Sequence, residues 1–350
     1  MNYKNSELPY ITKDLEGIGG KIKTSYENFI VNEIPAYQPS CEGEHLFIHI
    51  TKKGITTKEV QKALAKIYNA NSQDVEFAGI KDKYAVTSQF FSVWLHKGQE
   101  KDLVYQLEKV MPVTINSIAF HNRKLKMGHL KGNAFKIKIT DIKISLYEAY
   151  QRASRIANII HENGLPNFYG QQRFGIDGDN AERGFNILKG KEKNHNKWLK
   201  RFLLSSLQSH LFNYYLTRRI EHNLFNRILK GDIAKKQDTG GLFVVEEMEQ
   251  EQKRLQNKEI CFTGPMYGKK MKQAGDEAGE FEKTILDEND ITPEELKEAK
   301  ITGTRRAGII LPEITMNQEE DGLILKFTLP KGAFATIVLR EIMKNEVNTD

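Results

Sequence analysis

Cysteine is nearly absent: Cys41 and Cys261 are the only two in 350 residues, far apart, and neither sits in a CxxC pair. That excludes a disulfide framework and a cysteine-built zinc site. No run of 18 apolar residues occurs and no leader-like segment opens the chain, which reads as a soluble, reduced, cytoplasmic protein without membrane contact. Several catalytic signatures are missing as well. There is no G-x-x-x-x-G-K-[ST]; Gly264–Lys270 is one residue short and lacks the hydroxyl that would hold Mg²⁺. Gly17–Lys21 has no strand before it, so it lacks a dinucleotide-fold context. Neither HExxH nor G-x-S-x-G is present, and the nine histidines show no metal-ligand spacing. His161 and His210, on helical patterns, read as packed rather than ligating. By elimination the chemistry needs no nucleotide, metal or redox cofactor, and a carboxylate acting alone remains, as does no catalysis at all.

What is present is adequate for a core. Hydrophobic residues make up 39% and the net charge is +6. The charge is unevenly spread. From His121 to Thr140 there are six basic residues, Arg123, Lys124, Lys126, Lys131, Lys136 and Lys138, and no acid. Residues 189–201 add Lys189, Lys191, Lys193, Lys197, Lys200 and Arg201 against one acid, Glu192, while acids gather in 276–298. Such asymmetry fits a solvated surface or a basic face that tracks a phosphate backbone.

Strand patterns cover Lys21–Thr24, Phe29–Ile34, His45–Ile50, Gln89–Leu95, Asn116–Leu125 and Ala134–Thr140. In the last, Phe135, Ile137 and Ile139 alternate with Lys136 and Lys138. Thr56–Glu59 is a capping box and starts a helix to about Ile67. A long amphipathic helix runs from Leu146 to Asn163 and stops at Gly164, with Pro166 behind it. Helices follow near 180–189 and 197–223. The polar stretch 246–300 holds one clear helix start, Thr292–Glu295. Strand texture returns at Gly322–Leu329, then a helix at Ala333–Met343. An α/β beginning, a helix-rich middle and a return to α/β describe a parent domain, 1–166 with 311–350, that carries an insertion at 167–310.

Between two apolar runs stands Ala78-Gly79-Ile80-Lys81-Asp82-Lys83-Tyr84-Ala85-Val86-Thr87-Ser88-Gln89. Taken alone, its Lys81-Asp82-Lys83 triplet reads as a solvated turn. Together with other stretches it resembles the TruD family of tRNA pseudouridine synthases, whose catalytic motif is A-G-x-K-D-x-x-A-x-T-x-Q. Ile22–Glu33 is similar to the family's I-K-x-x-x-E-D-F-x-V-x-E, with Asn28 where the family has aspartate. Leu130–Phe135, Asn167–Gly175, Arg305-Arg306, and Leu329–Thr336 running into Arg340-Glu341 follow in the family's order.

The resemblance implies an α+β fold. The parent is the pseudouridine synthase fold, a mixed, mainly antiparallel sheet with flanking helices, and the insertion is a large α/β domain, the TRUD domain. It implies an isomerase without a cofactor. The N1–C1′ bond of a tRNA uridine, at position 13, breaks, the base turns, and C5 joins C1′. Asp82 is then the catalytic carboxylate, whether it attacks C1′, adds to C6 or removes a proton from C2′. It must stay ionised in a nearly dry pocket; burial would neutralise it and a nearby cation opposes that. The resemblance gives that cation role to Lys23, hydrogen bonding to Asn133 and base stacking to Phe135. Lys81, Lys124, Lys126, Lys131, Lys136, Gln171 and Arg173 become RNA contacts. The insertion, with the 189–201 lysines, becomes the opposite wall of a basic cleft. The partner is tRNA, with no protein partner, and the chain is a monomer. Two other readings compete: a catalytically idle RNA-binding or RNA-remodelling protein, and a glycosidase with Glu76 as the nearest second acid, poorly placed across a glycine turn.

Overall fold

The computed structural model describes residues 8–95 and 100–345, and these form two compact units. One comprises 16–161, 312–335 and 342–345; the other comprises 8–15, 162–311 and 336–341.

The first unit is built on an eight-stranded sheet. Its strands are β1 (Phe29–Pro35), β2 (His45–Lys53), β3 (Val75–Phe77), β4 (Val86–Trp94), β5 (Val113–His121), β6 (Leu130–Ile139), β7 (Thr315–Glu319) and β8 (Gly322–Pro330). The order is β7-β8-β6-β1-β4-β2-β5, with β3 added on β4. Only β1 and β4 run parallel; the other pairs are antiparallel. Alternation sets the faces, because cross-strand partners share a face and neighbours along a strand do not. Leu46, Ile48 and Ile50 of β2 and Phe91 and Val93 of β4 pack under the helix α1 (Thr57–Ile67) through Val60 and Leu64. The capping box forms as expected. The Thr56 hydroxyl accepts from Glu59 N at 3.1 Å, and Thr56 N donates to Glu59 Oε2 at 2.7 Å.

The strand expected at Lys21–Thr24 is absent. Lys21 makes a single bridge to Thr140, and Lys23 adopts a left-handed backbone, φ 56°, which ends extended pairing. The other expected strands form, shifted by a few residues at their ends. The helix Leu146–Asn163 buries Ala149, Ala153, Ile156, Ala157 and Ile160, and Gly164 ends it at φ 74°. The final helix is Ala335–Met343.

In the second unit the helix Lys197–Glu221 lies against Asn180–Leu188 so closely that a Cβ at Gly184 would meet Leu203 O at 2.3 Å. A four-stranded antiparallel sheet runs in the order Thr304–Ala307, Ile260–Met266, Ile233–Lys236, Leu242–Val244. Every residue of Ile260–Met266 is buried. That inner strand lies inside the stretch that reads as polar and charge-dense. Helices Met248–Gln256 and Asp276–Glu288 join the expected one at Pro293–Glu298 there. Two buried ion pairs cross this unit, Arg219 with Asp232 at 3.0 Å and Arg305 with Glu282 at 2.6 Å. Two segments distant in sequence meet here: Glu341 accepts from Thr12 N at 2.8 Å and from its hydroxyl at 2.6 Å. Cys41 is exposed, Cys261 buried, and both are free. His210 is packed, and burial pushes its pKa down to about 4. Among the described residues no helix is long and apolar enough to cross a membrane.

Candidate active site

The loop between β3 and β4 carries Asp82. It is fastened along its length by side chains from the sheet and from α1. Gln89 Nε2 donates to Gly79 O at 2.9 Å. Thr57 Oγ1 accepts from Lys81 N at 3.0 Å and donates to Gln89 Oε1 at 2.9 Å. The Lys81 ammonium reaches Glu33 Oε2 at 2.8 Å, with the two side chains 5% and 1% exposed. Glu33 Oε1 accepts from Phe90 N at 3.3 Å. Lys52 Nζ donates to Asp82 O and to Ile55 O, both at 2.7 Å. With Lys81 drawn inward, the next side chain, Asp82, faces out and is exposed.

Lys81 therefore does not reach RNA as expected. Its charge is buried on Glu33, because a buried ammonium without a counter-charge would be costlier still. Asp82 also differs from the nearly dry pocket that its expected role suggests. Packing covers only the inner side of its loop.

Register places the remaining groups. Lys52 lies opposite Thr87, Thr87 opposite Val31, Val31 opposite Phe135, and Phe135 opposite Phe327, so these share one face of the sheet. Three strand spacings put the Lys52 and Phe135 backbones about 14 Å apart. The next row on that face holds Glu33, Asn133 and Leu329. Gly132, which precedes Asn133, leaves no room for a side chain: a Cβ would stand 2.1 Å from Leu329 O. The Oδ1 atom of Asn133 and the hydroxyl of Thr87 are buried and lack a hydrogen-bond partner among the described residues. Orphaned buried acceptors are uncommon and mark places where a ligand donor fits. The Phe135 ring is half-buried, stacked on Phe327 at 5.3 Å and edge-on to Phe29 at 6.5 Å. Lys23 joins from the side, its ammonium 4.9 Å from the centre of the Phe29 ring.

The cation on the main chain of Asp82 is Lys52, a residue the sequence reading did not single out. Its signal was there. Leu46, Ile48, Ile50 and Lys52 occupy one phase of β2, so a lysine stands where the alternation demands an apolar residue. Lys52 is fully buried, and burial lowers its pKa from 10.5 to about 8; the charges of Asp82 and Glu59 oppose that fall and Lys81 adds to it.

The expected RNA contacts divide. Lys131 and Lys136 are exposed on β6, Lys136 on the face opposite Phe135. Lys124 and Lys126 are exposed in the loop between β5 and β6. They line a pocket with Tyr37, His45, His121 and His129, and Lys124 pairs with Glu76 at 3.3 Å. In the other unit Gln171 is exposed. Arg173 is instead engaged internally. It donates to Ser205 and Ser209 and lies over the rings of Tyr169 and Phe202 at 5.9 and 5.5 Å. Arg306 donates to Asn167 Oδ1 at 2.7 Å. Of the 189–201 cations, Lys189 is held by Glu295 at 2.8 Å, while Lys191, Lys193, Lys197, Lys200 and Arg201 are exposed.

Replacing Lys81 with Met leaves Glu33 as a lone buried charge, and we expect a loss of about 3 kcal/mol in urea unfolding. The slope of RNA affinity against salt should not change. A stable variant with a shallower slope would return Lys81 to the RNA surface.

A family model described as tRNA pseudouridine synthase D (TruD) matches residues 6–196 and 193–342. The tRNA pseudouridine synthase D of Thermus thermophilus is 40% identical over 344 residues, spanning 98% of this chain and 94% of that protein. The protein of the same name from an Anaeromyxobacter species is 35% identical over 347 residues, spanning 97% of each. A crystal structure titled as the putative tRNA pseudouridine synthase D of Methanosarcina mazei has the same fold. Its TM-score is 0.78 at 24% identity, over 97% of this chain and 96% of that one. The chain belongs to the TruD family of tRNA pseudouridine synthases.

Proposed function

We propose that the chain converts one uridine of tRNA, position 13 by family resemblance, to pseudouridine, with Asp82 as its single catalytic carboxylate. The observation that carries this reading is the loop geometry. Asp82 is exposed on a backbone pinned on both sides, over the sheet face that presents Asn133 and the Phe29–Phe135–Phe327 cluster. The reaction balances without an added reactant. N1–C1′ breaks, C5–C1′ forms, a proton leaves C5 and one arrives at N1. An ionised carboxylate serves either as the nucleophile or as the proton acceptor.

The target base is stacked in folded tRNA, and reaching C1′ requires its extrusion at a cost of a few kcal/mol. Stacking on Phe135 returns about 1–3 kcal/mol. The Oδ1 of Asn133 accepts a hydrogen bond from the base edge, satisfying the acceptor that the protein leaves open. The extruded nucleoside then shields the carboxylate from water. Lys23 lends positive potential from the Phe29 side. Phosphate contacts supply the remaining affinity, with Lys131 and Lys136 on β6, and Lys124 and Lys126 around their own pocket, as candidates. We further propose that residues 167–310 are an inserted domain that holds tRNA phosphates through Gln171 and the exposed cations of 189–201.

Pseudouridine mapping tests the catalytic claim. The wild type should modify a single uridine, and D82N should lower the single-turnover rate by roughly 10³-fold or more. Its tRNA affinity should stay within about threefold. Undiminished pseudouridine formation by D82N would remove the carboxylate from the reaction. For the inserted domain, changing Lys191, Lys193, Lys197, Lys200 and Arg201 to Glu should flatten the plot of log affinity against log salt. Each lost phosphate contact is worth about 0.7–0.9 in slope. An unchanged slope places these residues outside the interface.

A further inference from the structure

We propose that Lys52 is the positioning residue for Asp82, fixing the loop backbone from beneath and placing a positive charge under the catalytic carboxylate. The inference rests on the reading of Asp82 as catalytic and adds a residue that acts through it. Lys52 stands at the end of the apolar phase of β2, next in that phase after Ile50, and is 0% exposed. Its ammonium donates to two main-chain carbonyls: Ile55 O, just before the α1 cap, and Asp82 O. Among the described residues no carboxylate pairs with it directly, so its charge is not cancelled there at contact distance. It acts on the nearest acids through space. These are Asp82 on the loop and Glu59 on α1, with Lys81 as the opposing cation. Lys81 in turn is neutralised by Glu33 of β1, and the Glu59 carboxylate is hydrogen-bonded to Thr56 and lies near Lys83. Of these two acids, Asp82 is the one whose main chain Lys52 also binds. One group thus sets both where Asp82 stands and the potential it feels.

The two roles separate with pH. A neutral amine still has two N–H donors for the two carbonyls, so deprotonation of Lys52 leaves the backbone clamp in place and removes only the charge. Burial puts that deprotonation near pH 8, well below the ordinary lysine range. The wild-type rate should therefore fall as pH rises through about 8, while tRNA affinity and the fold are unchanged.

Single-turnover pseudouridine formation at saturating enzyme, measured between about pH 6.5 and 9, tests this for the wild type, K52M and K52R. In K52M, which loses clamp and charge, the rate should drop about 100-fold at neutral pH, with tRNA affinity near that of the wild type. K52R, permanently charged, should hold its rate across the alkaline range whatever its absolute value. The proposal is overturned by a wild-type rate that stays flat through pH 8–9, or by a K52M rate within about threefold of the wild type. If K52M or K52R fails to melt cooperatively, the wild-type profile decides alone. D82N separates the two claims: an active D82N defeats the catalytic reading itself, whereas an inactive D82N beside a fully active K52M defeats only the role of Lys52.

Discussion

Burial of the Lys81 ammonium on Glu33 is the constraint from which the site follows. With the Lys81 side chain drawn into the sheet, the next side chain, Asp82, is left exposed. Two ions in a dry interior contribute little net stability, since desolvation offsets their attraction. What the pair gives is direction. Glu33 stands in β1 between β6 and β4, the strands that carry Asn133 and Gln89. The same strand therefore receives the loop on one side and the candidate base-binding residues on the other. Lys52 and Thr57 then fasten the backbone at Asp82 and Lys81.

The second unit shows how differently matched motifs can be used. Arg173, Arg305 and Arg306 all sit in segments that resemble the family, and all are engaged inside the unit. Arg173 bonds two serines, Arg305 is buried on Glu282, and Arg306 bonds Asn167 beneath the Tyr169 ring at 4.0 Å. Planar guanidinium groups suit this work, because they satisfy several acceptors at once and stack on aromatic faces. The exposed cations of this unit include Lys191, Lys193, Lys197, Lys200 and Arg201, none of them in those motifs. A segment can thus be characteristic of a family because it packs, and the catalytic motif contains both kinds of residue side by side: Lys81 packs and Asp82 faces out.

Much of the fold was legible in local pattern. Thr56 and Thr292 announce their helices through capping boxes, and Gly164 ends the long helix where the apolar period stops. The alternation in β6 separates Phe135 and Ile137 from Lys136 and Lys138. Three things were not legible, each for a physical reason. The inner strand Ile260–Met266 contains Gly264 and Pro265, both poor strand formers, and is flanked by polar helices that mask it. Lys23 sits in a left-handed backbone that breaks the strand its sequence suggests. The partner of Lys81 lies 48 residues away, on a strand that pairs with β4 in parallel, and no local spacing encodes such a pairing. Asp82 itself could be found by motif, but which lysines turn inward beside it is settled only by the sheet.

If the loop is held by the protein rather than by its substrate, the Lys81 amide, which donates to Thr57 Oγ1, is protected before any RNA arrives. Hydrogen exchange of residues 79–85, with and without tRNA, measures this directly. The account predicts that the Lys81 amide in the free chain exchanges as slowly as the amides of β4, with little change on tRNA binding. Exchange at the rate of an open loop, slowed only once tRNA is bound, would contradict it.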